Sequence, residues 1–297
     1  MERCISPKCK LLLYADDSVI IHSSKNVDEI NVVLSQEMDK MYQWLIDNKL
    51  SLHLGKTESM LFGTRTKLKE KSELNVECQG KTIQTTCKMK YLGVVFDQDL
   101  TGKFMANSVL SKVGRGLKIL YRKAKYFDYE ERKMVCTALL QSHFDYGCHV
   151  WYRGLTKALK SKIQCAQNKM MRYILAKDNR FHLSHEHFEQ LKLLSVERRI
   201  EYLTLSSTFN IYNKTAPSYM IAHFSGSEHS HNTRHHNGFI LPCVQTNGHH
   251  SFIFNAIKSW NSINMPIPTK VSHFKSECKK LLMSKMKLEE EDAFVYL

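Results

Sequence analysis

Two adjacent carboxylates, Asp16 and Asp17, stand at the centre of an otherwise apolar run from Lys10 to His22, KLLLYADDSVIIH. The apolar residues on either side read as two short buried strands joined by a tight turn. Burying apolar strands around paired acids is costly unless a cation binds there. Mg²⁺ suits such a tip, because it takes one or two protein carboxylates together with substrate phosphates. Two such ions can clamp the attacking and leaving oxygens of a phosphoryl transfer. The plainer alternative is an exposed turn with two solvated aspartates.

The second chemical signal is charge. The 297 residues carry a formal net charge of +14, unevenly spread. Nine Lys and Arg face three acids between Lys103 and Lys133, and eleven face four between Arg153 and Arg199. Nucleic acid is the polyanion these stretches would meet, since each cation that neutralises a phosphate also releases a counterion. Lys112, Arg115, Lys118, Arg122 and Lys123 are the backbone-binding candidates. A solvated basic surface is the alternative. Tyr121, Tyr126, Tyr152 and Tyr173 interleave with these cations and read mostly as packing between helices.

Other metal-capable residues form weaker patterns. His182, His185 and His187 are close in sequence, as are the histidines of 229–236 and Cys243. Their spacings could share a metal such as zinc, but neither set fits a standard zinc pattern well, and a polar loop is the plainer explanation. The nine cysteines are odd in number and include no C-x-x-C, as expected of free thiols in an intracellular chain. The first ten residues lack a signal-peptide core, and no uncharged run of 18 apolar residues predicts a membrane span. An apolar fraction of 43% with 10% aromatics predicts a folded core.

The elements that would position these residues follow from periodicity. Asn26 and Glu29 signal a helix start, and apolar residues at 27, 30, 34, 38, 41 and 45 extend an amphipathic helix to about Asn48. Its stripe is expected to pack on the hairpin. Leu50–Leu54, Ser59–Phe62 and Lys90–Phe96 read as strands, and Thr64–Glu73 as a charged loop. Gln79-Gly80 reads as a hairpin turn. Segments 103–125, 129–142, 155–176 and 186–213 read as helices. Residues 214–252 read as irregular loop, 252–260 and 273–287 as helix, and the acidic tail as frayed.

The order of these blocks resembles the reverse transcriptase of non-LTR (LINE-type, Jockey-like) retrotransposons. Tyr14-Ala15-Asp16-Asp17 is similar to that family's catalytic hairpin. Trp44 to Leu54, ending in Lys56-Thr57-Glu58, resembles the following helix–strand block. Lys90-Tyr91-Leu92-Gly93-Val94 resembles the primer-grip block. Leu139-Leu140-Gln141-Ser142, Asp145-Tyr146-Gly147 and Trp151 resemble the helical segment beyond the palm, as do Ile163-Gln164, Gln167-Asn168-Lys169 and Arg172. Thr233-Arg234, Leu241-Pro242, Trp260-Asn261 and Phe274-Lys275 resemble the C-terminal region.

The resemblance implies an α+β fold: the C-terminal half of a palm over 1–98, a basic helical thumb or connection over 99–213, and a His-rich loop with C-terminal helices over 214–297. It implies RNA-directed DNA synthesis with Mg²⁺, an RNA template and a DNA primer. Asp16 would be a metal ligand and Asp17 would support it. Tyr14 and Ala15 would lie near the primer terminus and nucleotide, and Tyr91, Leu92 and Gly93 would position the primer end. Lys56 would neutralise or protonate the leaving pyrophosphate, or serve as an ordinary turn lysine. Tyr91 and Leu92 are equally compatible with a core strand. The family's third carboxylate and its fingers lie upstream of this motif, and the residues before Tyr14 hold no substitute. The expectation is therefore a fragment without efficient polymerase activity alone, or a non-catalytic nucleic-acid-binding remnant. Nothing in the sequence sets an oligomeric state.

Overall fold

The structure, a computed structural model, describes residues 4–70, 74–224, 238–244, 246–263 and 265–295. The chain folds as α+β, with two compact units, 1–100 and 101–297.

The first unit opens on a hairpin of β1 (Lys10–Tyr14) and β2 (Asp17–Ile21), registered from Lys10 opposite Ile21 to Tyr14 opposite Asp17. Ala15 and Asp16 form its two-residue loop. The strands pair only with each other among the described residues. Alternation puts Leu12, Tyr14, Asp17, Val19 and Ile21 on one face and Leu11, Leu13, Ser18 and Ile20 on the other. The expectation of buried strands is corrected here: Leu12, Leu13, Tyr14 and Ile21 are all exposed. Two strands alone cover neither face, and only Ile20 packs against the unit's core.

That core lies under α1 (Val27–Asp47). Asn26 caps the helix by accepting from the Asp28 N–H at 3.0 Å, and Asn48 closes it. Its Ile30 and Met38 meet Leu74, Val76, Cys78 and Ile83, and the hairpin expected there contributes Ile20 against the same cluster. Polar side chains beside that stripe complete the packing. Asn31, Ser35 and Asp39 accept hydrogen bonds from the backbone N–H groups of Asn75, Glu77 and Gln79, at 2.9, 2.9 and 2.8 Å. Four helical residues rise about 6 Å and two strand residues about 6.6 Å, so the two repeats match. The helix thus satisfies a strand edge that would otherwise be open.

The remaining strands are short. β3 (Glu58–Ser59) pairs in parallel with β6 (Gln84–Thr85), and α2 spans Arg65–Glu70 within the expected charged loop. β4 (Glu77–Cys78) and β5 (Lys81–Thr82) form the hairpin expected at Gln79-Gly80, whose φ values of 50° and 70° suit a two-residue turn. Lys90–Phe96 is not one strand. β7 (Lys88–Tyr91) and β8 (Val94–Asp97) form a hairpin around Leu92-Gly93, with φ of 45° and 79°. Leu50–Leu54 is not a strand either. It leads into a 3₁₀ turn over Leu54–Lys56.

The second unit is helical. α3 (Lys103–Arg122) buries Met105, Val109, Val113, Leu117 and Leu120 and packs on α7 (Lys157–Ile174). Gly102 starts α3 where any Cβ would lie 2.1 Å from the Trp151 carbonyl oxygen. α4 (Tyr129–Cys136) runs through a π-helical turn, Thr137–Gln141, into α5 (Ser142–Asp145), and α6 (Cys148–Trp151) follows. The expected helix over 186–213 is two, α8 (His185–Leu191) and α9 (Val196–Tyr212), because Lys192 turns left-handed at φ 55°. After α10 (Ser218–Ile221), α11 (Phe252–Asn261) and α12 (Val271–Val295) pack on α9 around Phe209, Trp260 and Phe274. The expected frayed tail is helical to Val295. No described helix is long and apolar enough to cross a membrane.

Candidate functional site

The hairpin tip puts Asp16 in the turn and Asp17 at the first position of β2, and both are exposed. Ala15 enters the turn at φ 51°. A non-glycine residue pays about 1 kcal/mol or more for a left-handed φ. The tip is therefore held in a shape its own sequence does not favour. Among the described residues neither carboxylate forms an ion pair. Their chemistry fits a hard cation that takes one or two carboxylates and completes its shell with phosphate oxygens. No group of three or more His, Cys, Asp or Glu able to hold a metal ion occurs among the described residues.

The other residues singled out in the first unit lie on separate elements. Tyr14 ends β1, 62% exposed, next to Ala15. Lys56 ends the 3₁₀ turn, exposed, and forms no ion pair with Asp16 or Asp17. Tyr91, Leu92 and Gly93 share the tip of the β7–β8 hairpin. Sequence periodicity missed that tip, although Leu92-Gly93 carries the glycine a two-residue turn favours.

In the second unit, α3 and α7 contain no Asp or Glu. Lys103, Lys112, Arg115, Lys118 and Arg122 lie on one, and Lys157, Lys160, Lys162, Lys169 and Arg172 on the other. Arg115, Lys118, Arg122 and Lys123 are exposed, whereas Lys112 is half-buried. Spacings of three and four put Arg115, Lys118 and Arg122 on one helix face. Two packed helices with ten cations and no acid of their own carry a local excess of positive charge, which is what holding a phosphate backbone requires.

The polar residues behind the family resemblance have a different place. Gln167, fully buried, donates to the Leu194 carbonyl at 2.9 Å and to Gln141 at 3.5 Å. Gln141 donates to Asp145 at 3.0 Å, and Arg199 pairs with Asp145 at 2.8 Å. Burial alone would lower the Arg199 pKa, but the Asp145 carboxylate raises it. Gln164 donates to Gln167 at 2.8 Å and to Asn168 at 2.9 Å, and accepts from the Val196 N–H at 2.9 Å. Arg172 donates to the Phe181 carbonyl, and Trp151 to the Tyr146 carbonyl. These side chains tie α5, α7 and α9 together.

The histidines follow the same rule. His185 meets the Met283 carbonyl through Nε2 at 2.9 Å, and His187 Nδ1 meets Ser184 Oγ at 2.8 Å. The histidines of 229–236, with Thr233-Arg234, lie outside the described residues. All nine cysteines are free thiols, and burial pushes those of Cys136, Cys148 and Cys278 up to about 12.

No protein-family description, curated protein or solved structure matches this chain.

Proposed function

We propose that this chain is part of an RNA-directed DNA polymerase of the non-LTR retrotransposon kind. Asp16 and Asp17 hold Mg²⁺, and the acid-free helices α3 and α7 hold the backbone of nucleic acid. The observation that carries the reading is the hairpin tip: adjacent, exposed carboxylates, without an ion pair among the described residues, on a strained two-residue turn. The bound ion would neutralise the incoming triphosphate and polarise the phosphorus under attack. Asp16 and Asp17 orient that ion. Tyr14 and Ala15 border the primer terminus and nucleotide, Tyr91 to Gly93 steady the primer end, and Lys56 supplies a cation for the departing pyrophosphate.

The polypeptide alone binds nucleic acid without extending a primer efficiently. A second reading, a non-catalytic nucleic-acid-binding remnant, is favoured by one observation: no third metal-binding side chain joins Asp16 and Asp17 among the described residues. Mn²⁺, used as a paramagnetic probe for Mg²⁺, separates the two. With an RNA template, DNA primer and nucleotide present, the polymerase reading predicts Mn²⁺ binding seen by electron paramagnetic resonance and abolished in Asp16→Asn. Equal Mn²⁺ spectra for the two proteins would leave the remnant reading. Robust, Asp16-dependent primer extension by the isolated chain would overturn the claim that it is inactive alone.

A further inference from the structure

We infer that Tyr126, in the turn between α3 and α4, is a stacking station for an unpaired base of a single-stranded nucleic acid. The inference rests on the nucleic-acid reading above and adds which form of the polymer this turn takes.

Of Tyr121, Tyr126, Tyr152 and Tyr173, the last two are buried. Tyr121 is partly exposed, with its ring edge against Tyr173 at 5.0 Å. Tyr126 is different: it is 64% exposed and has no aromatic neighbour among the described residues. Leaving a large ring in water sacrifices burial free energy, so packing does not account for its position.

The turn beneath it is rigid. The Tyr126 N–H donates to the Lys123 carbonyl at 3.0 Å and the Phe127 N–H to the Ala124 carbonyl at 3.4 Å. Arg132, one turn into α4, donates to the same Ala124 carbonyl at 2.8 Å. Asp128 and Glu131 cap the start of α4 with a reciprocal capping box. These bonds fix the backbone before any ligand arrives, which lowers the ordering cost of binding. They also occupy two of the three acids that follow the ring. The third, Glu130, is exposed.

The ring carries its own cations. The ammonium groups of Lys123 and Lys125 lie 5.7 and 5.0 Å from its centroid, and Arg122 is exposed one residue before Lys123. An aromatic ring with long-chain cations over it matches the recognition logic of single strands: the lysines swing out to the neighbouring phosphates and the base stacks on the face they leave. A duplex keeps its bases stacked on each other and offers this ring nothing.

Fluorescence anisotropy of the full chain with a labelled oligouridylate, and with a duplex of equal length, tests the inference. Base–aromatic stacking is worth about 1–3 kcal/mol, so Tyr126→Ala should weaken single-strand binding by about fivefold or more. Tyr126→Phe, which keeps the ring, should bind like the wild type, and duplex affinity should be the same for all three. Single-strand affinity unchanged in Tyr126→Ala, with wild-type binding intact, would overturn the station and leave the nucleic-acid reading standing. A wild-type chain that binds neither oligonucleotide would overturn both.

Discussion

At the scale of single residues, the side chains with chemistry to offer and those with structure to hold are different sets. Asp16, Asp17 and Tyr126 are exposed in or beside tight turns, while Gln164, Gln167 and Gln141 are linked in a chain of hydrogen bonds inside the helical unit. Tyr173 shows what an unsaturated position looks like. It is 2% exposed, and neither its hydroxyl nor the nearby Arg132 Nε has a hydrogen-bond partner among the described residues. A buried hydroxyl without a partner costs about 1–3 kcal/mol, whereas its ring still packs on Tyr121 and under Arg132. Tyr173→Phe should therefore raise the stability of the chain by about 1 kcal/mol in urea unfolding. A decrease of that size would show that the hydroxyl has a partner. The sequence made Asp16 and Asp17 conspicuous, because two acids interrupt an apolar run. It could not separate Tyr126 from Tyr173, because both sit among cations and only packing decides which is buried.

At the scale of elements, the β1–β2 hairpin has little support from the rest of the first unit. Both of its edges are unpaired among the described residues, and one face exposes Leu12, Tyr14 and Ile21. An isolated two-stranded sheet is marginal in water. Its amides should exchange with deuterium faster than those of α1, whose flank is bonded to the 75–79 strand edge. Protection of Leu12 and Val19 equal to that of Met38 would contradict this. Helices α1, α3, α7 and α11 were legible because long apolar periods and caps coincide. The strands were not. Leu50–Leu54 alternates but finds no partner strand among the described residues, and the left-handed residues Leu92 and Lys192 break segments whose periodicity continues through them. The match of Asn31, Ser35 and Asp39 to alternate strand amides depends on two segments at least forty residues apart. No local pattern reports it.

At the scale of the whole molecule, a charge of +14 is informative only through its distribution. The cations of α3 and α7 stand on helices without a single acid, whereas Arg198 and Arg199 are consumed in internal pairs with Glu201 and Asp145. That separation, invisible in the net charge, underlies the claim that the helical unit holds a phosphate backbone. The most direct test is the salt dependence of binding to an RNA template annealed to a DNA primer, for the wild type, Asp16→Asn and the combined Arg115→Gln, Lys118→Gln, Arg122→Gln variant. Without divalent metal, Asp16→Asn should bind like the wild type. The triple variant should bind more weakly, with a slope of log affinity against log salt that is shallower by about 0.7–0.9 for each phosphate it no longer neutralises. A triple variant with the affinity and slope of the wild type would contradict the account.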